Sequence, residues 1–163
     1  MAPLGVIRRR TERSERLTVL AVGATSISVS NLDQAVDFYT RLVGFEEYRE
    51  RLHIKGPSIE TIFGIPTAEG DVAFLRLGGY DLELFAFQSP DGFKQNPLRF
   101  SDTGGFSMSL RSDSFDEEYR RLKAEGVSFK SEPVDYEGRS RVVVMCDPDG
   151  NCMQLTSLPA EGT

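Results

Sequence analysis

The segment SISVSNLDQAVDFYTRLVGF, from Ser26 to Phe45, constrains the fold more than any other part of the chain. A run that alternates apolar and small polar residues leads to a helix-capping residue. An amphipathic run follows, and a glycine stops it. A second segment, SMSLRSDSFDEEYRRLKAEGV from Ser107 to Val127, repeats that plan. Two strand–helix units in one short chain predict a duplicated architecture, with a seam where a small molecule can bind.

The local reading follows from periodicity. Thr25, Ile27 and Val29 point to one face of the first strand, and Ala24, Ser26 and Ser28 to the other. Asn31 caps the helix with Gln34 as the reciprocal partner, and Ser114 with Glu117 forms a second capping box. Leu32, Ala35, Val36, Tyr39 and Val43 make one buried stripe, so Tyr39 is a core residue. Strands are expected over Phe45–His53, Val72–Leu77, Asp81–Phe87, Phe106–Leu110, Val127–Lys130, Arg141–Cys146 and Cys152–Thr156. The stretch from Ile54 to Gly70 breaks the pattern, with one helical turn near Ile59 to Phe63. The order is therefore β-α-β-β-β, twice. The helix caps Asn31 and Ser114 lie 83 positions apart, while Glu83 and Gln154 in the last strands lie 71 apart. The first copy thus carries about 12 extra residues, which fit in the Ile54–Gly70 excursion.

The predicted organisation is a flexible tail over residues 1–18, a first module over 19–88, a linker over 89–104, a second module over 105–158 and a tail over 159–163. The Arg-rich tract IRRRTERSER resembles a transit peptide only partly, because Glu12 and Glu15 interrupt it. A net charge of −6 argues against a nucleic-acid partner, which needs clustered cations. No apolar run reaches the ~20 residues of a membrane span. Cys146 and Cys152 flank the turn DPDGN and are read as reduced, small apolar strand residues, since a pair so close across a hairpin rarely meets disulfide geometry. A cytoplasmic location is expected.

SVSNLDQAVDFYTRLVGF, LGGYDLELFAF, FDEEYRRLKAEGVSF and DPDGNCMQL together resemble the vicinal oxygen chelate superfamily, which includes glyoxalase I, bleomycin-resistance proteins, methylmalonyl-CoA epimerase and extradiol dioxygenases. The resemblance covers the chain from Val22 to Leu158. It implies an α+β fold of tandem βαβββ modules forming a curved mixed sheet around a central cleft, with helices on the outer face. It also implies a homodimer. Metal-using relatives hold a divalent ion with four side chains, from the first and last strands of each module. Carried over by position, these fall on Ala24, Glu83, Gly105 and Gln154. Glu83 is an ordinary ligand and Gln154 a weak one, so no metal or other cofactor is expected. The sole histidine, His53, lies on another strand and is read as an edge-strand side chain.

The predicted site combines Glu83, as the proton-transfer residue, with Ser26, Ser28, Phe85, Phe87, Ser107, Ser109 and Gln154 as substrate contacts. Asp81, Glu83, Phe85 and Phe87 share one strand face, and the two phenyl rings suit a planar ligand. Cys152, Gln154 and Thr156 share another. Either Tyr48 or Arg49 reaches the cleft, but not both, because strand neighbours face opposite ways; Arg76 and Arg141 are further candidates. The Ile54–Gly70 excursion and residues 89–103 are candidate lids. Three functions are compatible with these features. The first is a metal-independent lyase, isomerase or cyclase acting on a hydrophobic or polycyclic metabolite. The second is a bleomycin-resistance-like protein that sequesters a drug or metabolite. The third is a metal-dependent glyoxalase- or epimerase-like lyase.

Overall fold

A computed structural model describes residues 21–92, 100–103 and 105–159. The predicted tail over residues 1–18 lies outside the described residues, as does most of the central part of the predicted linker. The first unit runs β1 (Thr25–Ser28), α1 (Leu32–Asp37), β2 (Glu46–Lys55), α2 (Pro57–Phe63), β3 (Glu69–Leu77) and β4 (Tyr80–Ser89). The second runs β5 (Met108–Ser112), α3 (Phe115–Ala124), β6 (Ser128–Phe129), β7 (Val134–Tyr136), β8 (Ser140–Cys146) and β9 (Cys152–Ser157). Strand order is β1-β4-β3-β2 in one sheet and β5-β9-β8-β6 in the other, with β7 added against β8. In each sheet the first strand pairs in parallel with the last, and the remaining pairs are antiparallel. The fold is α+β with mixed sheets, as the duplicated pattern predicts.

Asn31 accepts a hydrogen bond from the Gln34 backbone N–H and starts α1. The helix then widens into a π-helical turn over Phe38–Leu42, where Val43 N–H bonds to the Phe38 carbonyl. That extra residue per turn shifts the buried stripe, so Phe38, Tyr39 and Leu42 are buried and Val43 is only partly covered. Gly44 ends the helix at φ 94°, a conformation that favours glycine. The second predicted capping box does not form. Ser114 makes no cap bond, and its hydroxyl donates to Asp113 instead.

One core joins the two units. It gathers Val36, Tyr39, Leu75 and Leu84 from the first with Tyr119, Leu122, Met145 and Leu155 from the second. Polar contacts sit around it. Tyr39 Oη donates to Asp147 at 3.1 Å. Asp149 accepts from the Ser30 N–H at 2.8 Å and from the Ser30 hydroxyl at 2.6 Å. Arg41 pairs with Glu125 at 2.8 Å, and Arg121 donates to the Leu42 carbonyl. Burial pushes the Tyr39 phenol far above its ordinary range, and the Asp147 charge adds to the effect, so Tyr39 remains a donor.

The cysteine reading is corrected by the structure. Cys146 and Cys152 stand directly opposite each other in the β8–β9 ladder, and their sulfurs form a disulfide. The sequence shows a spacing around a turn, whereas the cross-strand register decides whether two side chains meet.

His53 bridges two carboxylates. Its Nδ1 lies 2.8 Å from Asp71 and its Nε2 3.0 Å from Glu69. The hydrogen bond to Asp71, followed by the one to Glu69, raises its pKa above the ordinary value. The bridge thus favours the folded state fully below the unfolded histidine pKa, and this contribution is lost as pH rises through the folded one. An NMR titration of the ring should give a pKa above 6.5. His53→Gln should remove the corresponding fall in stability between mildly acidic and alkaline pH. A second variant, Tyr39→Phe, strips a donor from the buried Asp147 carboxylate. It should cost about 2 kcal/mol in urea unfolding, and an unchanged unfolding midpoint would contradict the role given to this bond.

Candidate functional site

The parallel ladders position the candidate site. In β1 and β4, Ser26 pairs with Glu83 and Ser28 with Phe85. Alternation sends Leu82 and Leu84 into the core and Glu83, Phe85 and Phe87 to the opposite face of the sheet. Glu83 is half-buried there, and its Oε2 accepts from the Ser26 hydroxyl at 2.8 Å. Its other carboxylate oxygen is not engaged by that bond. In β5 and β9, Ser109 pairs with Gln154 and Arg111 with Thr156. Met153 and Leu155 face the core, so Ser109 and Gln154 lie on the opposite face of the second sheet.

The register corrects one transferred position. Ser26–Glu83 and Ser109–Gln154 are equivalent rungs, so Ala24, two residues before Ser26, corresponds to Ser107, two residues before Ser109. Gly105 is therefore not the fourth position. The 83-residue offset between the helix caps already contained this assignment. The four positions thus present a methyl group, a carboxylate, a hydroxyl and an amide. Among the described residues no group of three His, Cys, Asp or Glu is placed to hold a metal ion. This donor set does not fit a divalent cation, which needs several charged or imidazole ligands.

The first sheet carries an aromatic wall of which the sequence reading named Phe85 and Phe87 but missed Phe63. Phe85 and Phe87 stack with centroids 6.0 Å apart. Phe63, from the last residue of α2, packs edge-on against both at 5.6 Å. The Ile54–Gly70 excursion therefore carries a helix over the face that displays Phe85 and Phe87, rather than on the outer one. Its ends, Gly56 and Gly64, both have positive φ. Gly70 lets β3 approach this wall, since a Cβ there would lie 2.5 Å from the Ala86 carbonyl oxygen. Gly56, Pro57, Gly64 and Pro66 broke the strand pattern around one helical turn near Ile59–Phe63, and that turn was the sequence signal for Phe63.

Tyr48 and Arg49 both lie on the Glu83 face of the first sheet, against the expectation that only one of them reaches it. The Arg76 guanidinium covers the Tyr48 ring at 4.0 Å, and the Arg49 guanidinium covers the Phe74 ring at 4.5 Å. Register shifts in the β2–β3 ladder on both sides of Arg49 break the strict alternation. Arg76 also pairs with Asp81 at 2.6 and 2.8 Å, and this holds the Asp81 carboxyl below its usual range. Arg141 turns the other way, to Asp116 and the Phe115 ring of α3.

Of the predicted site residues, the structure brings Ser26 to Glu83, Phe85 to Phe87, and Ser109 beside Gln154. Ser28 lies beside Phe85 on the neighbouring rung. Ser107 is half-buried, with its hydroxyl toward the Met108 carbonyl. No hydrogen bond among the described residues links the Glu83 group with the Gln154 group.

Residues 21–155 match the Glyoxalase/Bleomycin resistance protein/Dioxygenase superfamily. The chain belongs to this family. It is 32% identical over 149 residues to a 2-epi-5-epi-valiolone epimerase from Actinomyces sp., covering 86% of this chain and 81% of that protein. Its fold is similar to a glyoxalase family protein from Bacillus cereus, with a TM-score of 0.78, 22% identity and coverage of 86% and 95% of the two chains. The trypanothione-dependent glyoxalase I of Leishmania major matches with a TM-score of 0.58, at 20% identity over 82% of this chain and 84% of that one. The fosfomycin resistance protein of Listeria monocytogenes matches at 0.57, with 17% identity over 86% and 94%. The described helices include none long and apolar enough to cross a membrane.

The aromatic wall generates a prediction. Phe63→Ala should remove two edge-to-face contacts and lower stability by about 1–2 kcal/mol. It should also increase binding of a hydrophobic fluorescent dye. Equal dye binding by both proteins would show that Phe63 does not cover Phe85 and Phe87.

Proposed function

We propose that this family member is a metal-independent isomerase of the epimerase type. It acts on a small carbonyl-bearing metabolite with an apolar portion, and Glu83 is its proton-transfer residue. The observation that carries the proposal is the setting of Glu83. It is the sole carboxylate at the four transferred positions, half-buried, with one oxygen held by Ser26. The 32% identity to an epimerase supports the reaction class.

In this reading the free oxygen of Glu83 removes a proton from a carbon next to a carbonyl. The C–H bond breaks, its electron pair moves into the carbonyl, and an enolate forms. Return of the proton after the planar intermediate has turned gives the inverted centre, with no net change in atoms or electrons. The Ser26 hydroxyl keeps the carboxylate aimed, so it acts as a positioning residue. A hydroxyl and an amide donor on the two ligand-side faces, Ser28 and Gln154, are the candidates to receive the enolate oxygen. Phe63, Phe85 and Phe87 supply the apolar surface for the rest of the substrate.

The test uses 2-epi-5-epi-valiolone as candidate substrate in deuterated water, followed by NMR. The expected outcome is epimerisation with deuterium entering at the inverted carbon. Glu83→Gln should lower turnover by about 10²–10⁴-fold while leaving binding largely intact. Undiminished turnover in that variant removes Glu83 from the chemistry. Binding without turnover in the unmodified protein would favour the sequestering function instead. Chelator-treated protein should stay active, and a stoichiometric divalent ion required for activity would overturn metal independence.

A further inference from the structure

The two ligand-side faces have diverged in a way that the duplicated scaffold makes measurable. The rung that is Ser26–Glu83 in the first sheet is Ser109–Gln154 in the second. The next rung is Ser28–Phe85 in the first and Arg111–Thr156 in the second. Where the first unit offers a carboxylate and a phenyl ring, the second offers an amide, a guanidinium and a hydroxyl.

A groove of about 710 Å³ opens at this place, lined by Ser109, Arg111, Arg139, Ser140, Thr156 and Ser157 among others. Two arginines and four hydroxyls thus surround one open space in a protein whose net charge is −6. Most other arginines of the described chain are spent on carboxylates: Arg41, Arg51, Arg76, Arg121 and Arg141 each have one at hydrogen-bonding distance. Arg111 has none. Arg139 has only the marginal approach of Glu137 at 3.9 Å. The Thr156 and Ser157 hydroxyls already donate to the Leu110 and Leu158 carbonyls. Ser109 and Ser140 have no hydroxyl hydrogen bond among the described residues, which leaves both as donors.

We propose that this groove is an oxyanion subsite, in which Arg111 and Arg139, assisted by Ser109 and Ser140, bind a phosphate or carboxylate group of the ligand. Guanidinium forks match the planar and tetrahedral oxygens of such groups, and hydroxyls complete the donor set. The subsite adds an anionic group, apart from the reacting carbon, to the features of a preferred substrate, whereas the neutral 2-epi-5-epi-valiolone tests the reaction class without engaging the subsite. Its use in turnover rests on the isomerase reading, but its capacity to bind an anion does not.

The experiment titrates the full chain at low ionic strength with inorganic phosphate and, separately, with acetate, followed by NMR. Saturable shifts at the amides of Ser109, Arg111 and Ser140 are expected with at least one of the two. Phosphate alone assigns a phosphorylated ligand, and acetate alone a carboxylate. Arg111→Gln and Arg139→Gln should each weaken binding by about tenfold, and the double variant should abolish it. Arg120→Gln, on the exposed part of α3, should change nothing, and thermal melts check that each variant folds. Shifts that never saturate with either anion overturn the subsite. So does an equal loss in the Arg120 variant, which would mark general charge attraction. Glu83→Gln must retain anion binding even if turnover disappears, so failure of the proton-transfer reading and failure of the subsite are separate results.

Discussion

The Asp147 carboxylate is the interaction on which the arrangement of the two units depends. It is the buried charged side chain among the described residues, at 5% exposure. A charge taken from water needs several donors to offset its desolvation. Asp147 accepts from the Asp149 and Asn151 backbone N–H groups, from the Asn151 side chain and from the Tyr39 phenol. Three of these donors are local and fold the β8–β9 turn. The fourth comes from the other unit. The same turn sends Asp149 to Ser30, at the entry to α1. A tight turn in the second unit thus fixes the start and the middle of the first unit's helix, and the shared core forms around that contact.

This helix-side junction leaves the opposite faces of both sheets outside the shared core. Their shared topology fixes equivalent positions, and the side chains at those positions are free to differ. The first face keeps one carboxylate beside a three-ring aromatic wall, whereas the second is hydroxyl-rich and cationic. Such a division is what the proposed ligand, apolar at one end and anionic at the other, would need. It also explains why the family's scaffold persists here with a donor set unsuited to a divalent ion: the rungs depend on backbone pairing, which tolerates replacement of the side chains they display.

Much of the fold was legible because its signals are local. Asn31 and Gly44 mark the ends of a helix through hydrogen bonds and φ values that involve only near neighbours. The alternation in β1 and β4 assigned Ser26, Glu83, Phe85 and Phe87 to one face, as the ladder has them. The Gly105 assignment conflicts with the 83-residue offset that the helix caps themselves give, whereas the missed disulfide and the joint reach of Tyr48 and Arg49 share one origin. Each depends on register or a bulge, and a one-residue slip reverses which way a side chain points. The Phe63 contact and the Arg111–Arg139 groove were illegible for a different reason. Their partners lie on separate elements, and no spacing along the chain records their proximity.

By itself, the sequence determined the duplicated β-α-β-β-β plan, the family and the residue types at the transferred ligand positions, because these follow from residue identity and short-range periodicity. The tertiary structure decided which rungs correspond, that α2 covers the aromatic face, and that two arginines without close carboxylate partners meet hydroxyls in one groove. These are long-range pairings, set by cross-strand register and by packing between units, and neither is encoded in the order of neighbouring residues.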